Sequence, residues 1–245
     1  MSARPLMLGL DTSHQRGSVA VSRGREVLSE ILFDASDTHS ATLMPAVDAA
    51  LRSAKSSLGD IDVIAVVSGP GSFTGLRIGL ATAKGFAAYR RRPVVPVSSL
   101  EVLAAAFPFA AHPVLPLIDA RRGEVYGACY RIDGHAPREL APFFAAKPAA
   151  VGAVVDRICP GAPVILCGTG ALRYGELLAP LMPKGSVIAG ERWAVPSASI
   201  CSLLALDREP LTYEALFTLE PLYIRPPDAR LPDTARLRGR GSGTG

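Results

Sequence analysis

The sequence predicts a two-lobed α/β protein in which three strands followed by alternating helices and strands occur twice. Three observations carry that prediction. Short strand-like runs cluster at the start of each half: Leu6 to Leu10, Ser18 to Ser22 and Glu26 to Phe33 in the first, Val114 to Asp119, Val125 to Ile132 and Glu139 to Phe144 in the second. Segments with apolar residues at helical spacing follow each cluster and alternate with further short strands. Asp62 to Val67 is almost continuously apolar, the pattern of a strand covered on both faces in a parallel sheet. No internal sequence repeat accompanies the repeated order.

Taken in order, the first strand runs into a turn-like Thr12 to Gly17, and Arg23-Gly24-Arg25 reverses the chain between the second and third strands. That makes three adjacent antiparallel strands. Leu43, Val47, Ala50, Leu51 and Ala54 then recur on one helical face, and Gly59 ends a helix of about five turns. Ser68-Gly69-Pro70-Gly71-Ser72 turns the parallel strand into a second helix, with Phe73, Leu76, Leu80, Ala83 and Ala87 on one face. Its end at Arg90-Arg91-Arg92 places cations where the helix dipole favours them. A strand at Val94 to Val97 and a helix at Ser98 to Phe107 complete a first lobe over residues 1–108. In the second lobe, 109–225, helices are expected at Ala149 to Ile158, Ala171 to Leu181 and Ser197 to Leu206, with a strand at Pro163 to Cys167. Residues 226–245, where Arg230, Arg236, Arg238 and Arg240 sit among Gly, Pro and Ser, read as a flexible basic tail.

Composition narrows the function. A chain that is 49% hydrophobic and 20% charged is ordinary for a folded α/β protein. The run Val102 to Ile118 is broken by Pro108, Pro113 and Pro116 and is too short to span a membrane, and Met1 to Arg4 precede no apolar leader. The expectation is a cytoplasmic protein with no membrane contact. Cys129, Cys159, Cys167 and Cys201 have no zinc spacing; His39 has Thr42 and Leu43 where a helical metal pair needs a ligand, and His14, His112 and His135 are scattered. No metal site is expected. The net charge of +4 owes part of its value to the tail, which could touch RNA, and such a contact would be electrostatic and salt-sensitive.

Two turns carry candidate chemistry. Ser68 to Leu80 holds Gly69, Gly71, Gly75 and Gly79, so its free amides either cradle an anion or let a helix approach closely; it is neither a P-loop nor a dinucleotide fingerprint. Asp11, Thr12 and Ser13 put a carboxylate and two hydroxyls at the end of the first strand, either to contact a nucleotide or to close the turn. Gly168 and Gly170 flank Thr169 in a comparable turn of the second half. Asp119, Arg121 and Glu124 join two strands, as an ion-pair network at a lobe junction or as ligand-orienting charges. Neither Ser68 nor Ser72 lies in Gly-x-Ser-x-Gly, and no base and acid complete a triad.

In sequence order, Leu8-Gly-Leu-Asp-Thr-Ser13, His39-Ser40, Ser68 to Phe86, Asp119-Ala-Arg-Arg-Gly-Glu-Val-Tyr126 and Pro221-Leu-Tyr-Ile-Arg225 resemble the TsaB (YeaZ) family over about Leu6 to Arg225. The resemblance implies an actin-like ATPase (ASKHA) fold of two ribonuclease-H-like lobes, each a mixed sheet flanked by helices. It implies a non-catalytic subunit that pairs with TsaD and supports docking of TsaE, for threonylcarbamoylation of the adenosine next to the anticodon in ANN-decoding tRNAs. The threonylcarbamoyl-adenylate consumed would come from a TsaC-type enzyme. His39 followed by Leu43 lacks the metal pair of the catalytic paralogue. The resemblance implies pairing on the two first-lobe helices, here through Ala46, Ala50, Gly75, Arg77, Gly79 and Ala83, and leaves open whether the free chain is a homodimer. No intrinsic cofactor is expected; ATP or ADP would sit at the partner interface. The alternative is an actin-like phosphotransferase or ATPase using Asp11, though Asp11-Thr-Ser-His-Gln lacks the glycine usual in that turn. A peptidase activity has no nucleophile and base behind it.

Overall fold

In the computed structural model residues 4–34 and 39–222 are described, with the side chains from residue 41 onward in the second stretch. The basic tail, Tyr223 to Arg225 and the side chains of His39 and Ser40 lie outside the described residues.

The described residues build two five-stranded sheets of the same plan. The first comprises β1 (Leu6–Asp11), β2 (Arg16–Arg23), β3 (Glu26–Asp34), β4 (Val63–Gly69) and β5 (Val94–Ser98), in the order β3-β2-β1-β4-β5. The second comprises β6 (Val114–Asp119), β7 (Val125–Asp133), β8 (Ala136–Ala146), β9 (Ile165–Cys167) and β10 (Val187–Ile188), in the order β10-β9-β6-β7-β8. Read from β8, that is the order of the first sheet again. In both, the first strand pairs antiparallel with the second and parallel with the fourth, as in Leu8↔Val21 with Leu8↔Ile64, and Ile118↔Tyr126 with Leu115↔Leu166. The expected actin-like pair of lobes is what the connectivity produces.

Helix α1 (His39–Ser53) and helix α2 (Phe73–Arg90) cover one face of the first sheet. Leu43, Val47, Leu80 and Ala83 pack there on Leu8, Leu10, Val19 and Val21. The opposite face, Met7, Ala65, Val67, Val95 and Val97, is covered from much later in the chain by Cys201 and Ala205 of α7 (Ala198–Ala205). Conversely α3 (Ser99–Ala105), which follows the first sheet in sequence, buries Leu100 and Leu103 against Val114 and Ile118 of the second. The ranges 1–108 and 109–225 therefore describe chain order, while in space a helix from each range covers the other range's sheet.

The second sheet is covered on its remaining face by α4 (Val151–Ile158), α5 (Thr169–Arg173) and α6 (Gly175–Leu178). The helix expected over Ala171 to Leu181 is divided at Tyr174 and Gly175 and ends in a 3-10 turn, Ala179–Leu181, that contains Pro180. Strand β10, two residues long, and α8 (Tyr213–Thr218) are too short to leave a periodic pattern. All four cysteines are buried and free. Among the described residues no helix is long and apolar enough to cross a membrane.

Glu30 of edge strand β3 fixes the returning helix. One carboxylate oxygen accepts from Ser197 Oγ (2.7 Å) and from the Ser199 backbone N–H (3.1 Å), and the other accepts from Ser199 Oγ (2.8 Å). A carboxylate at a helix start takes up orphan N–H groups and complements the dipole. Glu30→Ala is therefore expected to lower unfolding free energy by about 1–2 kcal/mol at unchanged denaturant slope, as a urea titration would read it.

Candidate functional site

Strand β1 delivers Asp11, Thr12, Ser13 and His14 to the carboxyl edge of the first sheet, and all four are buried. Asp11 Oδ1 accepts from the Ser13 backbone N–H (2.9 Å), while Oδ2 has no hydrogen-bond partner among the described residues. Burial pushes the Asp11 carboxyl up from 3.8 to about 7, against the opposing hydrogen bonds from Ser13. Burial pushes the His14 imidazole the other way, down from 6.5 to about 4.

The glycine-rich segment lies directly on this turn. Ser13 O accepts from the Ser72 backbone N–H (2.7 Å), and Thr12 Oγ1 donates to Gly75 O (2.7 Å). Glycine is needed at two points of approach: a Cβ on Gly71 would overlap Ser13 O, and one on Gly79 would overlap Thr12 Oγ1. Ser72 caps α2 by accepting from Gly75 N (3.3 Å). Of the two readings left open by sequence, close helix approach accounts for what is seen.

That packing also involves five of the six residues expected to touch a partner. Ala46, Ala50, Gly75, Gly79 and Ala83 are all buried within their own lobe, because they are the small residues that let α1 and α2 sit down on the sheet and on Thr12. Arg77 alone of the six is exposed, its guanidinium 3.9 Å over the Phe73 ring. The outward face is made by the positions between: Phe73, Arg77, Ala81, Gly85 and Ala88 on α2, and Ala41, Met44, Pro45 and Asp48 on α1. A Cβ added at Gly85 would meet nothing within 4 Å.

Between the two sheets a cleft of about 470 Å³ joins His14, Gln15, Ser72 and Thr74 to Asp119, Arg121, Tyr126 and Thr169. Gly168 and Gly170 do not reach it; both are buried, and a Cβ on Gly168 would overlap Leu117 O. Thr169, which they flank, faces it and accepts from the Asp119 N–H (3.1 Å). Asp119 Oδ2 is paired with Arg173 (2.7 Å), and Oδ1 accepts from the Arg121 N–H (3.0 Å) and from Tyr174 Oη (3.3 Å). The side-chain partners of Asp119 are thus Arg173 and Tyr174 of its own lobe, which sit 54 and 55 residues away and carry no local signal. The turn continues through Arg121, Arg122 and Gly123, all with positive φ.

The chemistry available here is limited. Ser13 Oγ lies 2.8 Å from His14 Nδ1, yet Ser13 is fully buried and Asp11 bonds Ser13 rather than orienting the imidazole. A serine nucleophile needs the histidine between it and the acid. Among the described residues no group of three or more His, Cys, Asp or Glu is placed to hold a metal ion.

Comparison with known proteins bears on the same segments. A family model described as TsaD, tRNA N6-adenosine threonylcarbamoyltransferase, matches residues 33–165. The tRNA threonylcarbamoyladenosine biosynthesis protein TsaB of Bacillus subtilis is 36% identical over 136 residues, 56% of this chain and 59% of that protein. The chain spans about half the length of the first curated relatives it matches, between 51% and 59%. An uncharacterized protein of Mycobacterium tuberculosis is 31% identical over 230 residues, 91% of this chain and 93% of its own length. The solved structure of YeaZ from Pseudomonas aeruginosa superposes with a TM-score of 0.74 at 29% identity, covering 90% of this chain and all of that one.

Proposed function

The chain belongs to the TsaB (YeaZ) family, and from that premise we propose that it serves tRNA threonylcarbamoyladenosine biosynthesis as a non-catalytic subunit. The observation that carries the non-catalytic reading is the closed turn after β1. Where an actin-like enzyme would receive phosphates, Asp11, Thr12 and Ser13 are 0–1% exposed and bonded to their own lobe. An N–H already donating inside the protein is not available to an anion, and a buried carboxyl held up to about 7 gives up its proton less readily to a cation than an ordinary carboxyl does.

On this reading the chain pairs with TsaD through the outward face of α1 and α2 and so creates the surface on which TsaE docks. Small residues at Ala81, Gly85 and Ala88 support a close helix–helix crossing there. The second reading, an actin-like phosphotransferase or ATPase, draws on one observation, the open cleft beside Arg121 and Thr169. Nucleotide at the interface with TsaD remains compatible with the first reading, because the cleft borders Phe73 of α2.

The deciding experiment is tRNA threonylcarbamoylation in a mixture of TsaC, TsaD and TsaE with and without this chain, alongside ATP turnover by the chain alone. Modification that depends on the chain, survives Arg121→Ala and comes with no ATP turnover by the isolated chain is the expected result. ATP turnover by the isolated chain that Arg121→Ala abolishes would make it an enzyme.

A further inference from the structure

We propose that the junction of α2 and α8 is a stacking surface for unpaired RNA bases. This extends the reading of a tRNA-modifying assembly by giving the chain its own RNA contact. Helix α8 puts only Leu216 into the first-lobe core and turns its aromatic face to water. Phe217 is 60% exposed, Tyr213 39%, and Tyr89 at the end of α2 68%. Tyr213 and Phe217 meet edge to face at 5.0 Å. Arg91 lies 5.7 Å from the Tyr213 ring and Arg90 5.6 Å from the Tyr89 ring. Lys84 Nζ, 3.2 Å from Phe217 O, ties the end of α8 to α2.

Exposed rings interleaved with guanidinium groups have a specific use. Any base can stack on an aromatic face, and the neighbouring cations neutralise the phosphates on either side. A protein partner laid on the same rings would have to desolvate Lys84, Arg90 and Arg91 or bring matching carboxylates, whereas a nucleic-acid strand brings one phosphate per base. Acidic residues stand beside the patch as well. Asp60 is engaged by Ser57, whose hydroxyl and then amide hold its carboxyl below the usual range, with Arg90 adding a smaller effect. Glu214 follows Tyr213 in the first turn of α8. Unpaired rather than duplex RNA is specified because stacking requires an accessible base face.

The test is anisotropy of a labelled RNA hairpin with an unpaired loop, titrated with the full chain over a series of salt concentrations. Phe217→Ala is expected to weaken binding about tenfold, as loss of one stacked base does. Arg90→Gln with Arg91→Gln is expected to lower the salt slope by about two. Tyr89→Ala, at the most exposed ring, repeats the stacking measurement where folding is least at stake. A fully paired duplex of the same composition should bind more weakly and ignore the ring substitutions. Unchanged affinity in the ring variants overturns the proposal. So does binding lost only when Arg230, Arg236, Arg238 and Arg240 are changed to Gln, which assigns RNA contact to the tail. Ring variants that bind the hairpin normally but lose TsaD would make the patch a protein surface. The hairpin titration uses this chain alone and the modification assay uses the whole mixture, so the patch and the family role can fail separately.

Discussion

Gly79→Leu is expected to unfold the first lobe, whereas Gly85→Trp, on the same helix, is expected to keep or slightly raise the melting temperature and abolish the proposed pairing with TsaD. The two glycines differ in what a side chain would meet. At Gly79 a Cβ overlaps Thr12 Oγ1, whose hydroxyl is committed to Gly75 O, so α2 must lift from the turn after β1. Lifting it costs about 1–3 kcal/mol in overpacking, about 1 kcal/mol for the Thr12 hydrogen bond, and the contacts of Leu80 and Ala83 with the core. Together these approach the whole stability of a marginal lobe, about 5 kcal/mol at the low end. Gly85 has open space beyond it, and replacing an interior helical glycine gains up to about 1 kcal/mol. Its indole would stand where the proposed pairing brings a second helix. Thermal unfolding by circular dichroism reads the first effect, and co-elution with TsaD reads the second. A Gly85→Trp chain that still co-elutes with TsaD would put the interface on another face. A Gly79→Leu chain with parental melting would show that α2 is free to slide off Thr12.

That contrast also marks what the sequence makes legible. Apolar runs and helical spacing place β1 to β9, α1 to α4 and α7, and the repeated order of strands and helices is borne out by two sheets with one connectivity. Small residues on α1 and α2 are visible in sequence, but their side of the helix is not. Positions 75, 79 and 83 face Thr12 and the core, while 77, 81 and 85 face outward, and both sets share the i, i+4 spacing of one helical stripe. Only the neighbour tells them apart. The crossing of α3 and α7 is invisible for a related reason: a helix apolar enough to be buried does not encode which sheet buries it. The cleft draws Asp119 together with Thr169, Arg173 and Tyr174, partners at least 50 residues away. The motif that begins at Asp119 was readable; its partners were not. The aromatic surface on α8 escaped because Tyr213 and Phe217 occupy a six-residue helix that brings them to Arg91 and Lys84 only through tertiary packing.

The buried turn makes a second large prediction, in the dependence of stability on pH. Asp11 titrates at about 7 in the folded chain and at 3.8 ordinarily, so between those values the folded state holds a proton that the unfolded state has released. Its contribution is full below 3.8 and is lost as pH rises to 7, a change of about 4 kcal/mol. His14 runs the opposite way. With its folded value at about 4 against 6.5, its contribution is full above 6.5 and is lost as pH falls to 4, about 3 kcal/mol. Over the shared window the two slopes oppose, and the parent chain is expected to vary less between pH 4 and 7 than either single variant. Asp11→Asn removes one arm. The variant should gain about 3 kcal/mol from pH 4 to 6.5, the His14 arm alone, and should exceed the parent at pH 8 by about 2–3 kcal/mol after the cost of its buried amide donors. His14→Gln should show the mirror image, falling between pH 4 and 7. Urea midpoints across pH for the three chains supply the measurement. If Asp11→Asn matches the parent at every pH, Asp11 is solvated and ionised in solution. It would then be an open carboxylate at the mouth of the cleft, and the case for a closed, non-catalytic turn would fall with it.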